Sequence, residues 1–543
     1  VIKELSITNT PIQMKKVETA NSDKFKIRNM LSCVIMVCIF ELMDMLSYSG
    51  AIMENYNSSK DIDAVCMILY IYPTISSMIF YNIFTTIPAG IVSSAIVENF
   101  RFFHKMSKNV RKNVDSEEAL VTNSIFLFFV TGLLFAFSSI IMMKLRLGRL
   151  ILQIPKAVVY GIFATIGIIQ IPVGLQELMP NGYNHEHLSM YIIAFAVVLI
   201  VFVLQKRYPN IMYIMPLSMV VCMCLFYSFF IFQFKNDLIY ELILHGWLHE
   251  RDNRVINPSM LFNMIELETL QFGFLLKNLR TVLVCVFFSL LHVTYNLPSY
   301  KMDLNIEFDY SAELGTQGYT NLFTFIPCYF ISCYSGPFYR SGGTKRIYGI
   351  ISGLFLVFVA LFGCSIRGYV PKFLLCMPPL LIGSTMIYDT LLTVISETKV
   401  FEQLVVFVIS LISYLTEDYF LGVVTGILIH LAFYFMLKRR AISNEQRVST
   451  YSEFLAGYTC IKIDFILCFM TMNKFKKYDF TDEKIVIDLL ECPAVDWIGS
   501  DLLYDAINKP DKKVVIVGVP FNFNEKRFNK ICKVLNNAEQ LKT

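Results

Sequence analysis

One carboxylate lies deep inside an apolar run near the start of the chain. Asp44 is flanked on both sides by leucine and methionine residues. A charge in hydrocarbon costs at least about 2.5 kcal/mol, so an acid in such a run is a candidate functional group by default. An ionised acid repels a nearby anion and a protonated one does not, which allows a proton to be coupled to the movement of an anion. Asp44 is therefore our candidate for solute binding and proton coupling.

A histidine in a later apolar run is the second candidate. His292 can hold or release a proton within the physiological pH range, and ionisable groups inside membranes usually pair with one another. His292 then either pairs with Asp44, as a second proton-coupling and substrate-binding residue, or is a neutral histidine bonded to a carbonyl oxygen. Glu41, one turn before Asp44, is expected to face an aqueous vestibule instead.

The composition indicates that these residues lie in a membrane. Of the 543 residues, 55% are hydrophobic and 17% are charged, and the mean hydropathy is +0.55. The charges gather at the N-terminus, in short loops and after about Lys438, whereas a soluble protein of this size needs far more polar surface. The net charge of +4 gives no case for a nucleic-acid partner.

No arrangement typical of an enzyme or a metal site is visible in the sequence. There is no nucleophile–base pattern and no phosphate loop, and the 14 cysteines lack metal-ligand spacing. The cluster at 185–187 (His-Glu-His) has no third ligand in register, which favours a solvated loop over a metal site. We therefore expect neither catalysis nor a metal or cofactor.

Apolar spans of about 20 residues, long enough to cross a bilayer as helices, recur along the chain. They lie at about 31–53, 64–82, 120–143, 150–173, 189–205, 210–233, 279–299, 310–330, 348–366, 372–395, 401–415 and 418–437. Two further stretches, 83–97 and 332–341, are too short or too broken by glycine and proline to cross alone. Together they predict an α-helical polytopic membrane domain over 31–438, with 14 transmembrane segments in a 7+7 arrangement of two repeats (31–233 and 279–438). One broken segment comes third in each half, which is typical of transporters built from inverted repeats.

Basic residues near the ends of the spans set the orientation. They place both termini, including the polar segment 1–30, on the cytosolic side. The basic run at 101–112 disagrees, because under this count it falls in a loop on the far side.

The sequence pattern changes after about Glu445 to that of a soluble α/β domain. The runs IVIDLL (485–490) and KVVIVGV (513–519) are short and β-branched, as buried strands are, and helical periodicity lies between and after them. This pattern predicts a small cytosolic α/β domain over 446–543.

Three motifs resemble one known family. ELGTQGYTN (313–321) resembles the ELxxxGxxN signature of the SulP sulfate permeases, and GGTKRIYG (342–349) is similar to the segment that follows their tenth helix. ECPAVDWIGSDLLYDAI (491–507) resembles the core of a STAS domain, so the α/β domain is predicted to be STAS-like. The segments at 42–49 and 90–106 resemble the fungal vacuolar-type branch. The matching motif residues are Glu313, Leu314, Gly318, Asn321, Gly342, Gly343, Asp496 and Gly499.

The resemblance implies a fourteen-helix fold with core and gate subdomains, elevator-like alternating access and a homodimer. It implies that the substrate sits between the facing N-termini of the third and tenth helices, where backbone N–H groups favour an anion. The substrate-binding residues are then Asp44, Ser47, Ser93, Ser94, His292, Tyr334, Ser335 and Gly336. The alternative is that these serines only make local backbone or helix–helix contacts.

This sequence departs from the family pattern at two places, one relevant to which anion is the substrate and one relevant to regulation by phosphorylation. Ser335 stands where many members carry an arginine, which makes sulfate less secure as the substrate. Trp497 and Ile498 stand where relatives have serine or threonine, so no phosphorylation switch is carried over, and Trp497 is expected to pack against the membrane domain.

The sequence therefore predicts a secondary active transporter of inorganic or small carboxylate anions, coupled to protons through Asp44 and His292. Sulfate, bicarbonate, chloride and oxalate are the candidate substrates. Its partners are the small anion, the lipid bilayer and a second copy of the chain, and its location is the plasma membrane or a vacuolar or other endomembrane. The alternative is a membrane scaffold or sensor that does not transport and acts through its STAS-like domain.

Overall fold

The computed structural model describes most of the chain between residues 27 and 535. The gaps in this range are at 54–58, 147–153, 179–187, 209–210, 212, 234–237, 253, 305, 417, 443–457, 469, 476, 479, 481, 509–512 and 530. Most of the predicted cytosolic segment 1–30 and the cluster at 185–187 lie outside the described residues. Contacts divide the chain into two units: the first comprises residues 3–152 and 169–385, and the second comprises residues 153–168 and 386–543.

Helices dominate the chain as far as Ile442. Those of the first half are α1 (Ile27–Tyr48), α2 (Lys60–Phe84), α3 (Ile96–Arg111), α4 (Glu117–Leu145), α5 (Lys156–Leu178), α6 (Leu188–Arg207) and α7 (Ile214–Gln233). Two short helices follow, α8 (Leu238–Leu244) and α9 (Pro258–Asn263). Those of the second half are α10 (Gly273–Leu304), α11 (Tyr310–Asn321), α12 (Ser332–Arg340), α13 (Arg346–Arg367), α14 (Lys372–Leu375), α15 (Met377–Glu397), α16 (Val400–Thr416) and α17 (Tyr419–Ile442).

Ten helices among the described residues are long and apolar enough to cross a membrane. They confirm the predicted polytopic helical architecture, and most of the predicted spans match a helix to within a few residues. Helices α3, α11, α12 and α16 are shorter, so the count of fourteen segments stays a prediction. The basic run at 101–112 lies almost entirely within α3, not in a loop.

The broken segments differ from the prediction in one respect. Residues 83–97 do not form a helix of their own: α2 continues to Phe84, and strand β1 (Val92–Ser94) precedes α3. Likewise, the span predicted at 310–330 is helical only to Asn321, and strand β2 (Cys328–Phe330) follows it. The two strands pair antiparallel, with Ser93 opposite Tyr329. This pairing satisfies backbone groups that water cannot reach inside a membrane.

Two asparagines fix the approach to these strands in the same way in each half. Asn82, near the end of α2, donates from Nδ2 to the Gly90 carbonyl at 2.9 Å, and its Oδ1 accepts from the Gly90 N–H at 3.3 Å. Asn321, the last residue of α11, donates to the Cys328 carbonyl and accepts from the Cys328 N–H, both at 2.7 Å. The same pair of asparagine–backbone hydrogen bonds in each half supports the predicted inverted repeat.

Glu313 of the signature motif holds the loop before β1. Its two carboxylate oxygens accept from the hydroxyls of Tyr81 and Thr85, at 2.9 and 2.8 Å, and from the N–H and hydroxyl of Thr86, at 2.7 and 2.5 Å. The motif therefore positions backbone.

Three glycines of the family motifs occupy sites that exclude a side chain. A Cβ on Gly318 would lie 2.8 Å from the Ala136 carbonyl oxygen of α4, and one on Gly343 would lie 2.3 Å from the Phe338 ring. Gly342 has a φ of 111°, which L side chains rarely adopt. These positions keep helices and turns in close contact.

The second unit contains an all-parallel sheet of strands β3 (Thr459–Lys462), β4 (Lys484–Asp488), β5 (Lys513–Val517) and β6 (Lys533–Leu535), in that order. Helices α18 (Met472–Phe475), α19 (Trp497–Ile507) and α20 (Glu525–Phe528) complete the predicted α/β domain. Asp496 caps α19 by accepting from the Gly499 N–H at 2.7 Å. A Cβ on Gly499 would lie 2.2 Å from the Leu467 carbonyl oxygen.

Polar groups anchor α19 within this unit. The Trp497 N–H donates to Glu402 of α16, and its indole N–H donates to Glu397 at 3.1 Å. Its ring lies 4.5 Å from that of Tyr160 on α5. The expected packing of Trp497 against membrane helices is confirmed.

Candidate functional site

Asp44 of α1 is fully buried, and one of its carboxylate oxygens is already bonded. Its Oδ2 accepts a hydrogen bond from the Tyr334 hydroxyl at 2.5 Å. Tyr334 lies in the first turn of α12, and its ring stacks on Phe40 at 5.0 Å between centroids. The other oxygen, Oδ1, is buried and has no hydrogen-bond partner. Asp44 therefore keeps one acceptor for a ligand.

Glu41 lies beside it and is also fully buried, which differs from the expectation that it faces an aqueous vestibule. Its Oε2 accepts from the Ser93 hydroxyl at 2.7 Å and from the Tyr70 hydroxyl at 3.2 Å. Its Oε1 has no hydrogen-bond partner. Glu41 thus presents a second open acceptor one turn of α1 away from Asp44.

The predicted serines take different roles. Ser94 is fully buried and its hydroxyl has no partner, so it remains a candidate ligand. The Ser335 hydroxyl accepts from the Ile91 N–H at 2.9 Å, which ties α12 to the segment before β1. The Ser47 hydroxyl is bonded to the Met43 and Leu375 carbonyls, both at 2.7 Å. Ser47 and Ser335 therefore hold backbone, as the alternative expected, and Gly336 is buried beside Ser335.

A third carboxylate lies in the first turn of α3. Glu98 accepts a hydrogen bond from the Tyr329 hydroxyl. The His292 ring stacks on Tyr329 at 5.2 Å, with 3° between the planes. His292 therefore joins the site through Tyr329, and its pairing with Asp44 stays a prediction.

The antiparallel pairing of β1 with β2, which we call the ladder, places Ser93 and Tyr329 on one face. Directly opposed residues of an antiparallel pair point to the same side, and Ser93 opposes Tyr329. Ser93 donates to Glu41 and Tyr329 donates to Glu98. The three acids are close enough that the charge of Glu98 interacts with those of Glu41 and Asp44.

Two helices begin at opposite ends of this ladder. Ser94 and Phe330, the last residues of the strands, lie two positions apart in the register, about 7 Å along the strands. Helix α3 begins at Ile96 and α12 at Ser332. Each helix N-terminus carries unpaired N–H groups and roughly half a positive charge, which favours a carboxylate or another anion.

The buried charged side chains among the described residues are acidic. Glu41 and Asp44 are buried, and no lysine or arginine is buried in the part of the chain that the structure describes. No group of three metal-ligating side chains occurs among the described residues. The arrangement offers N–H donors for an anionic group and carboxylates for a cationic group or a proton.

Sequence reasoning missed three participants: Tyr70, Glu98 and Tyr329. Glu98 carried a usable signal, because it is an acid just after two serines in a segment already assigned to the site. The tyrosines carried none, since tyrosine is common at membrane–water interfaces.

Comparison with known proteins identifies the family. A model described as the Sulfate permease family matches residues 27–409, well over half of the chain. The chain belongs to the sulfate permease family. Membership confirms the predicted class, a multi-pass membrane transport protein of the anion-transporting sulfate permease type, and gives no support to the scaffold alternative.

One curated relative is the "Vacuolar basic amino acid transporter VSB1" of Saccharomyces cerevisiae. It is 22% identical over 430 residues, which are 74% of this chain and 41% of the yeast protein. The permease thus spans less than half the length of this relative.

Two solved structures share the fold. The transmembrane domain of the cyanobacterium bicarbonate transporter BicA gives a TM-score of 0.55 at 15% identity, covering 75% of this chain and 99% of that one. The murine Solute Carrier 26 family member A9 anion transporter, in the inward-facing state, gives a TM-score of 0.55 at 11% identity. This similarity covers 95% of this chain and 88% of the murine chain. At these identities the similarity supports the architecture alone.

Proposed function

We propose that this permease is a secondary active transporter of small solutes that carry both a carboxylate and a cationic group, with basic amino acids as the leading candidates. The carboxylate binds at the N-termini of α3 and α12, and the cationic group binds between Glu41 and Asp44. Transport proceeds by elevator-type alternating access, is coupled to protons and takes place in a homodimer in an endomembrane. Residues 446–543 act as a STAS-like accessory domain.

One observation carries this proposal. Glu41 and Asp44 are fully buried, each has one oxygen without a partner, and no buried lysine or arginine among the described residues balances them. Buried charges are normally paired. An ammonium or guanidinium group of the solute supplies the missing counter-charge.

Electrostatics separates the candidate solutes. Two unit charges 4 Å apart interact by about 4 kcal/mol at an effective dielectric constant of 20. A divalent anion beside ionised Glu41 and Asp44 is repelled by several times this amount, whereas a cationic group is attracted. The yeast relative is named as a vacuolar transporter of basic amino acids, which also carry positive charge.

A second candidate is a small inorganic anion such as sulfate, bicarbonate, chloride or oxalate. The paired helix N-termini favour it, as does the family. Its binding requires protons on Glu41 and Asp44, so anion uptake would rise as the pH falls. This candidate therefore predicts symport with protons, whereas a basic amino acid predicts exchange for protons.

Reconstitution of the full chain in liposomes tests the proposal. Labelled arginine, lysine, sulfate, bicarbonate, chloride and oxalate are offered separately, with a pH gradient of either direction. We expect accumulation of arginine and lysine when the interior is acidic. Accumulation of sulfate or oxalate alone, when the exterior is acidic, would establish the second candidate instead.

Asp44→Asn tests the site itself. The amide keeps the shape but removes the charge, so we expect loss of arginine uptake. The matched control is Glu307→Gln, which makes the same type of change on an exposed side chain paired with Lys301. Equal loss in both variants, or no loss in Asp44→Asn, would remove Asp44 from the binding site.

A further inference from the structure

Glu98 differs from the other two acids of the site in the burial of its residue. Glu41 and Asp44 are fully buried, whereas Glu98 is only half-buried. A proton that leaves a transport site must reach water. Among the three interacting acids, Glu98 is the one whose residue keeps an exposed fraction.

Glu98 also differs in its hydrogen bonds. Glu41 and Asp44 each keep an open, buried oxygen, as a solute-binding group requires, and neither oxygen of Glu98 is among the buried unpartnered atoms. Glu98 is held by Tyr329, whose ring is in turn stacked on His292. This support fixes the carboxylate at the site without leaving it a buried vacant acceptor.

The charges of the three acids cannot be independent. The charge of Glu98 interacts with those of Glu41 and Asp44, and also with the Tyr48 and Tyr329 hydroxyls. Three ionised carboxylates this close repel one another, and the usual outcome is that such a group retains a proton. The titratable groups that interact with Glu98 are Glu41, Asp44 and Tyr48 on α1 and Tyr329 on β2. His292 on α10 lies behind Tyr329, on whose ring it stacks.

We propose that Glu98 is the proton-exchange group of this transporter, while Glu41 and Asp44 bind the solute. The inference rests on the proposed function. When a cationic group enters between Glu41 and Asp44, its positive charge drives the proton from the Glu98 carboxyl group to water on the open side. When the solute leaves, Glu98 takes a proton from water, so each step exchanges one positive charge for another and the charge of the site is conserved. For an anionic solute the same group takes up the proton on binding.

Two transport modes separate coupling from binding. Counterflow at equal pH on both sides needs solute binding and alternating access, but no net proton movement. Accumulation driven by a pH gradient needs solute binding, alternating access and net proton movement together. Labelled arginine and labelled sulfate are each measured in both modes, in liposomes that contain the full chain.

Glu98→Gln is expected to retain counterflow and to lose gradient-driven accumulation. Glu118→Gln is the matched control, because Glu118 is also a glutamate in the first turn of a helix but is exposed. It should behave as the unaltered chain in both modes. Gradient-driven accumulation by Glu98→Gln would overturn the inference, and so would loss of counterflow in a variant that elutes normally on size exclusion.

Tyr329→Phe provides a second variant that keeps the carboxylate. A carboxylate that loses a hydrogen-bond donor changes its affinity for a proton, so we expect coupling to persist with a shifted half-maximal pH. An unchanged pH profile would contradict the role of Glu98. If the unaltered chain moves neither solute in either mode, the proposed function fails and the inference falls with it; if it does transport, only the variants decide about Glu98.

Discussion

Replacing Glu313 tests whether the signature motif acts by holding backbone. Glu313 is fully buried and accepts four hydrogen bonds, from Tyr81, Thr85 and both the N–H and the hydroxyl of Thr86. If each of the four hydrogen bonds contributes about 1.5 kcal/mol, Glu313→Ala loses up to about 6 kcal/mol. The three hydroxyls can turn to other acceptors, but the Thr86 N–H cannot. The loss is therefore at least about 2 kcal/mol, the cost of one buried unpaired donor.

Glu313→Gln separates the charge from the geometry. The amide oxygen can still accept from the Thr86 N–H, and the amide nitrogen can donate to the hydroxyls of Tyr81 and Thr85, so we expect a loss of only about 1–2 kcal/mol. The assay heats the detergent-solubilised protein and measures the monodisperse fraction by size-exclusion chromatography. The expected order of melting temperatures is unaltered chain, Glu313→Gln, Glu313→Ala. A Glu313→Ala protein that melts with the Glu307→Gln control would refute the reasoning.

Two further changes test regions outside the central site. The Arg254 side chain donates three hydrogen bonds to Asp252, which lowers the pKa of that carboxyl. The stability that this pair contributes is therefore fully present above the ordinary aspartate pKa of about 3.9. It is lost as the pH falls through the lowered pKa of Asp252. Arg254→Gln should thus destabilise by about 0.5 kcal/mol at neutral pH and have no effect in strong acid; a pH-independent difference in melting temperature would contradict this. Glu402→Gln weakens the anchor of Trp497, so in a Trp247→Phe background, where Trp497 is the only tryptophan, its fluorescence should shift to longer wavelength. An unchanged spectrum would show that Glu402 does not hold the indole in place.

The long helices were predictable because each is a single apolar run with polar ends. The span predicted at 189–205 is α6, Leu188–Arg207, and the span at 348–366 is α13, Arg346–Arg367. Length and hydropathy are local properties, and they suffice wherever one helix crosses a bilayer alone.

The strands were not predictable in this way. Val92–Ser94 and Cys328–Phe330 are three residues each, too short to show a period of two, and each is paired with a partner in the other half of the chain. The proline and glycine near them indicate only that a helix is interrupted. What replaces the helix depends on the distant segment.

The same division applies to the site. Asp44 was visible because a carboxylate in an apolar run is expensive wherever the run folds. The roles of Tyr70 and Tyr329 depend on which acids they reach, and no local pattern gives that. For Ser47 and Ser335 the sequence left both roles open, since a small polar residue near a site suits a ligand and a backbone group equally well.

The ladder between β1 and β2 also sets an order of events during synthesis. Val92–Ser94 leaves the ribosome long before Cys328–Phe330 exists, yet that later strand is the one with which it pairs. Unsatisfied backbone groups do not persist in lipid. The first half must therefore wait with this segment sheltered by water, other helices or the insertion machinery. The transport site is completed only when β2 and α12 of the second half have been made.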